Sequence, residues 1–134
     1  MTQTSAWLLA TRPKTLFASM GPVFLGLFLC LQAGKNLNPL IAFLTITSAL
    51  LMQIGTNLVN DYFDFKTGVD SNNRLGPKRV TSEGLLSPKQ VQTGYQLCFF
   101  LAFIFGIYLM YTGGTPIIVI GLLSLLTAYI YTGG

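Results

Sequence analysis

Charge is the scarcest commodity in this chain. Only 9% of its 134 residues are Asp, Glu, Lys or Arg, against 51% hydrophobic, and its mean hydropathy is +0.60. A soluble domain of that size would lack the polar surface to cover itself, so a membrane protein is the expected class. Acidic side chains are rarest, four against eight Lys and Arg, for a formal net charge of +4. In an apolar chain that surplus suggests loops facing anionic lipid or an anionic substrate. No basic helix or aromatic ladder accompanies it, so nucleic acid is not an expected partner. The two cysteines, Cys30 and Cys98, sit in apolar runs without metal-ligand spacing, which reads as buried filler and not as a redox or zinc site. No small-residue cleavage site follows Arg12 and Lys14, and further apolar runs come after, so a secretory signal is not indicated. Low-complexity sequence and a second domain are absent as well.

What is present is length without charge. Four stretches, 15–34, 38–63, 93–114 and 115–134, are apolar and near the roughly 20 residues that a membrane-spanning helix needs. The expected fold is an all-α integral membrane protein with four transmembrane helices in one domain. Asn38-Pro39 and Thr115-Pro116 each offer an N-cap followed by Pro at the first helical position. Ser87-Pro88-Lys89-Gln90 adds a capping-box Gln. Gly34, Gly113 and Gly114 supply stops. Gly21, Gly26, Gly55, Gly106 and Gly121 would let neighbouring spans approach, and Pro22 is a candidate kink in the first. YTGG occurs at 111–114 and 131–134 but reads as coincident interface residues, not a repeat.

Seven of the eight Lys and Arg lie before the first span or between Asp61 and Lys89, and one, Lys35, lies on the other side. The excess of basic residues on cytoplasmic loops therefore puts both termini and the 61–90 loop in the cytoplasm, in a multi-pass membrane protein.

The second span ends in NLVNDYFDFKTGVD, residues 57–70. At 100° per residue, Gln53, Asn57, Asn60, Asp61 and Asp64 share an arc of roughly 100°. Asp near the centre of a membrane helix costs about 2.5–3.5 kcal/mol, and each Leu or Phe returns only about 0.3–0.6. The plain reading is a solvated helix end whose carboxylates pair with Lys66 or Arg74. It leaves unexplained a periodic polar stripe running back into the span, and an intramembrane polar cluster is a functional candidate.

Mg²⁺ takes hard oxygen ligands, keeps several waters, and is commonly held by one or two carboxylates together with substrate phosphates. Asp61 and Asp64, at i and i+3, project together and would hold such an ion, with Asn57 and Asn60 adding neutral oxygens. Gly68 would end the helix and let Asp70 approach from the loop. Arg74, Lys78 and Arg79 follow around a Gly76-Pro77 turn and suit the oxygens of a diphosphate, Arg as a fork and Lys as a point charge. Acids for a metal, bases for phosphate and apolar walls together describe a lipid diphosphate. Tyr62 and Phe63 are adjacent aromatics suited to contact a donor or cation, or to anchor the helix at the interface.

At these residues the sequence resembles a known family. The pattern NxxxD at Asn60 to Asp64, inside NLVNDYFD, is similar to the first Asp-rich motif of the UbiA superfamily of intramembrane prenyltransferases. Many members carry another Asp four residues after Asp64, where this chain has Gly68, with Asp70 two residues later. That departure, the NRLGPKR stretch and RPKTL at 12–16 look more like the branch that prenylates 1,4-dihydroxy-2-naphthoate in menaquinone and phylloquinone synthesis than the 4-hydroxybenzoate branch. The resemblance implies a bundle of about nine helices with a second Asp-rich motif in a later loop, and no acidic residue follows Glu83 here. It therefore implies an N-terminal half, inactive alone. The implied reaction transfers a prenyl group from an allylic polyprenyl diphosphate to the naphthoate, with loss of the carboxyl as CO₂. In it, Asp61, Asp64 and Asp70 would hold Mg²⁺, Asn57 and Asn60 would support the diphosphate, and Arg74, Lys78 and Arg79 would stabilise the leaving group. A transporter half and a non-catalytic membrane subunit remain as other readings of the residues. A transporter would place its polar groups nearer mid-membrane, and the last two spans carry no ionisable acid or base.

Overall fold

A computed structural model describes residues 2–68 and 79–133, with the backbone alone described at 129 and 131–133. The chain forms five helices: α1 (Gln3–Thr11), α2 (Pro13–Gln32), α3 (Pro39–Thr67), α4 (Pro88–Gly113) and α5 (Thr115–Gly133). The four expected spans correspond to α2 to α5. Three of these, α2, α3 and α4, are long and apolar enough to cross a membrane, and α5 is apolar over Thr115–Ala128. The short α1 was not expected, because its nine residues are too few to span a bilayer and carry no strong apolar periodicity.

Helix ends follow local chemistry. The Thr2 side chain accepts from the backbone N–H of Ser5 to start α1. Asn38 Oδ1 accepts from Leu40 N at 2.9 Å ahead of Pro39, and Gly68, left-handed at φ 73°, closes α3 as expected. Ser87 and Gln90 form the reciprocal capping box at the head of α4. Pro22 stays inside α2.

The break between α1 and α2 has a clear cause. Pro13 disfavours helical geometry at the preceding residue, so the helix cannot run through Arg12. Arg12 adopts a left-handed conformation, φ 50° and ψ 73°, the one positive-φ non-glycine among the described residues. That geometry costs an L-residue about 1–2 kcal/mol, so other contacts must hold the elbow.

α3 is the axis of the bundle and packs against each of the other four helices. At about 1.5 Å per residue its 29 residues run past the roughly 30 Å of a hydrocarbon core. The best-packed region lies at its C-terminal end, away from the helix midpoints. Ala6 and Ala10 of α1, Leu58 and Val59 of α3, Val80 and Leu86 of the 79–87 turn, and Val91 and Tyr95 of α4 form one buried cluster. Many side chains of α2, α4 and α5 face outward, Phe24, Leu25, Phe100, Leu122 and Leu123 among them. Such surfaces suit acyl chains and not water.

Two glycines let helix backbones approach in this region. A Cβ at Gly94 would lie 2.9 Å from Cζ3 of Trp7 and 3.2 Å from Cδ1 of Leu58, and one at Gly55 would strike the Phe99 ring. Trp7 of α1 and Leu58 of α3 both pack against α4 at this point, so Gly94→Leu should destabilise the protein by about 1–3 kcal/mol. The check is the melting temperature in detergent, with Gly106→Ala, whose Cβ meets nothing within 4 Å, as the unshifted control.

Candidate functional site

The polar stripe of α3 lies against the α1–α2 elbow. Gln53 Nε2 donates to Asn57 Oδ1 at 3.2 Å. Asn57 Nδ2 donates in turn to the carbonyl of Thr11 at 3.0 Å and to Thr15 Oγ1 at 2.8 Å, one on each side of Arg12. The Thr11 carbonyl is among those a helix C-terminus leaves without an intrahelical partner, so Asn57 both satisfies it and pins the elbow. Both ends of the Asn57 amide are thus engaged within the protein.

One turn further on, Asp61 is 1% exposed. Its Oδ1 accepts from Arg12 Nη2, and Arg79 Nη1 lies 3.4 Å from the same oxygen. Arg79 Nη1 is closer to Asp64 Oδ2, at 2.7 Å. Two couples result, Arg12 with Asp61 and Arg79 with Asp64, joined by the longer contact. The second couple is the more open, with the Asp64 side chain 22% exposed. Next to it, the buried Oδ1 of Asn60 has no hydrogen-bond partner among the described residues. A buried carbonyl oxygen left in that state costs about 1–3 kcal/mol.

The fold places Arg79 through its neighbour. Val80 is fully buried, and its carbonyl accepts from Leu85 N at 2.8 Å and Leu86 N at 3.3 Å. Gly84, at φ 71°, allows that reversal, and the Arg79 carbonyl accepts from Glu83 N at 3.0 Å. The turn drives Val80 and Leu86 into the core and leaves the guanidinium facing α3.

Asp61, Asp64, Asn60 and Arg79, expected together, are brought together. Asp70, Arg74 and Lys78 lie outside the described residues. Lys66 is 5.9 Å from the centre of the Tyr62 ring. Tyr62 and Phe63 pack in the aromatic group that includes Tyr95 and Phe99, so their rings serve the α3–α4 seam. Sequence reasoning read Arg12 for topology and within the RPKTL stretch, and gave it no place at the site. An arginine directly before a proline at a forced helix break was the signal available, since such an elbow turns the side chain back toward a neighbouring helix.

Among the described residues no three acidic, thiol or imidazole side chains converge. Asp64 and the unpartnered Asn60 carbonyl oxygen belong to residues one helical turn apart on the same face of α3, and both are hard donors. That set fits an ion that takes one or two protein oxygens and completes its shell with water and phosphate oxygens. An apolar cavity of about 510 Å³ lies elsewhere, between α3, α4 and α5, lined by Thr45, Ser48, Met52, Ala102, Gly106 and Gly121 among others. Its residues on α3 occupy a face roughly 120° around the helix from the polar stripe.

Comparison with known proteins supplies the context. A sequence model of the UbiA prenyltransferase family matches residues 19–134. The chain is 34% identical over 124 residues to a 1,4-dihydroxy-2-naphthoate octaprenyltransferase of Bacillus subtilis, covering 92% of this chain and 40% of that protein. It is 31% identical to the protein of the same name from Escherichia coli, covering 100% of this chain and 45% of the other. A chicken protein, UbiA prenyltransferase domain-containing protein 1, is 30% identical over 97% of this chain and 39% of its own length. No solved structure matches. The chain thus spans less than half the length of these curated relatives. With a matched segment that takes in the whole polar stripe and three helices long and apolar enough to cross a membrane, the chain belongs to the UbiA prenyltransferase family.

Proposed function

We propose that this chain is the diphosphate-binding part of a membrane prenyltransferase that joins an allylic polyprenyl diphosphate to 1,4-dihydroxy-2-naphthoate, in quinone synthesis at the bacterial inner membrane. The observation that carries it is the Asn60, Asp61, Asp64 and Arg79 cluster at the end of the longest span. The names of the bacterial relatives support the choice of acceptor. The concentration of Lys and Arg around residues 61–89 supports a cytoplasmic position for the cluster.

The charges explain why a metal and a diphosphate would arrive as a pair. Among the described residues Arg12 and Arg79 pair with Asp61 and Asp64, so acids and bases are both present to meet a cation and an anion together. A cation–diphosphate complex lets each group exchange a protein partner for a ligand partner of the same sign. Mg²⁺ would neutralise diphosphate charge and so favour departure of the leaving group. Asp64 and Asn60 are the residues to hold it, with Asp70 entering from the loop. Asp61, closed off by Arg12, supplies negative potential from behind. Arg79 would leave Asp64 and donate its fork to phosphate oxygens, joined by Arg74 and Lys78. When the allylic C–O bond breaks, its electron pair stays with the diphosphate, where these donors stabilise the growing charge. The naphthoate ring carbon then attacks the allylic cation, and loss of CO₂ from the carboxylate returns the electron pair to the ring.

In the complete gene product, Asp64→Asn should lower turnover by about 10²–10³-fold, the scale of removing a key electrostatic group. Product formation from prenyl diphosphate and 1,4-dihydroxy-2-naphthoate in membranes is the measurement, with 4-hydroxybenzoate as the comparison acceptor. Full turnover in that variant would remove the site from the reaction. Chelation of divalent cations should abolish product and added Mg²⁺ should restore it; product formed at the native rate in excess chelator would exclude the ion.

A further inference from the structure

A second cavity, of about 500 Å³, opens between α1, α3 and the head of α4. None of Asn60, Asp61, Asp64 and Arg79 lines it. Trp7 of α1 stands at one wall against Gly94, and Ile54 and Leu58 of α3 form another. On α4, Lys89, Thr93 and Leu97 are spaced four apart and so share the face that lines it. At a rise of about 1.5 Å per residue, Lys89 and Leu97 lie about 12 Å apart along the axis. Over that length the wall passes from a cation to hydrocarbon, the order of groups met on going from a lipid headgroup into an acyl chain.

The polar side chains at the mouth are not equally free. Ser87 and Gln90 are spent on each other's backbone N–H in the capping box. Thr93 Oγ1 donates to the Lys89 carbonyl at 3.0 Å. Lys89 is exposed, and among the described residues no carboxylate pairs with its ammonium. The mouth therefore offers a cation, and the walls below it offer Ile54, Leu58 and Leu97. That combination suits an amphiphile with one negative charge and an apolar chain. A small anion would leave the walls unused, and a diphosphate carries more charge than one Lys balances.

We propose that this cavity holds an anionic phospholipid of the surrounding membrane, its phosphate on Lys89 and one acyl chain against Ile54, Leu58 and Leu97. Two of its three helices, α3 and α4, are long and apolar enough to cross a membrane. Lys and Trp are the side chains that sit at headgroup level beside such spans, and a Lys there attracts anionic lipid. The lipid bridges α1 and α4, between Trp7 and Lys89, next to the buried cluster on which the polar site is built. Its binding does not depend on the reaction proposed above.

Photoreactive phosphatidylglycerol, with a diazirine in one acyl chain, tests this on the complete gene product in phosphatidylcholine vesicles, each variant being checked first for a native melting temperature. Crosslinks mapped by peptide mass spectrometry should fall on the segments 93–98 and 54–58. Their yield should be about fivefold that from the matching phosphatidylcholine probe, the scale of one Lys near an anionic lipid surface. Lys89→Gln should remove that excess. Thr93→Trp, which keeps the cation and fills the space below it, should lower the yield at the same residues. Lys14→Gln removes a charge outside the cavity and should leave the excess intact. Equal yields from the two probes, or an excess that survives Lys89→Gln, overturn the proposal. An excess lost equally in Lys14→Gln overturns it as well, by reducing it to general surface charge. Displacement of the probe by inorganic phosphate or by a prenyl diphosphate, but not by unlabelled phosphatidylglycerol, gives the cavity to a soluble anion or to the donor and overturns the lipid assignment.

Discussion

A carboxylate with almost no exposure, near the end of a membrane-spanning helix, sets the terms for everything around it. A carboxylate so buried needs opposite charge against it, and among the described residues Arg12, at the elbow between α1 and α2, and Arg79 supply it. Where nothing else compensates the survivor, breaking a buried couple by removing one member costs roughly 3–5 kcal/mol. The pair therefore constrains where α1 and α2 sit relative to α3. It explains why a left-handed arginine is tolerated at the elbow. The contact with Asp61 and the neutral hydrogen bonds from Asn57 to Thr11 and Thr15 together offset the elbow's conformational strain.

The packing follows the same logic. A helix bundle in lipid gains little from burying aliphatic surface in its middle, since acyl chains are as apolar as leucine. Burial is rewarded where water competes, and here the tight cluster sits at the end where α1, the 79–87 turn and the last turns of α3 meet. Gly94 and Trp7 close one side of that cluster, and Val80 and Leu86 close another. The polar site is built on the best-packed part of the described chain, while outward-facing residues of α2, α4 and α5 are left to lipid.

Much of this was legible in the sequence because single residues carried it. The Asn38-Pro39 start, the Ser87 and Gln90 box and the Gly68 stop were each readable from local chemistry, and each formed. The stripe from Gln53 to Asp64 was readable from helical period alone. What could not be read was the partner of each polar group. Lys66 and Arg74 were the near candidates for the acids, yet among the described residues the guanidiniums that reach them come from position 12, 49 residues away from Asp61, and from position 79. Sequence distance says nothing about which loop folds back over a helix end. The α1 helix was missed for a related reason: it is too short to span, and it exists because its buried alanines and Trp7 find a surface on α3 and α4. Asn57 was placed on the right face, but its duties at the elbow depend on that same unforeseen helix.

The cavity between α3, α4 and α5 limits how far the site can be extended toward the prenyl tail. A tail must begin at the diphosphate, and so must leave from the polar face of α3. The cavity is reached from a face roughly 120° away. Glycines at 106 and 121 make that space roomy, as expected of small residues at helix seams. Room alone does not connect it to Asp64. The seam that does meet the polar stripe is the one between α2 and α3, where Asn57 touches Thr15. On the reading proposed above, a chain attached to a diphosphate at Asp64 would meet that seam before it met the cavity.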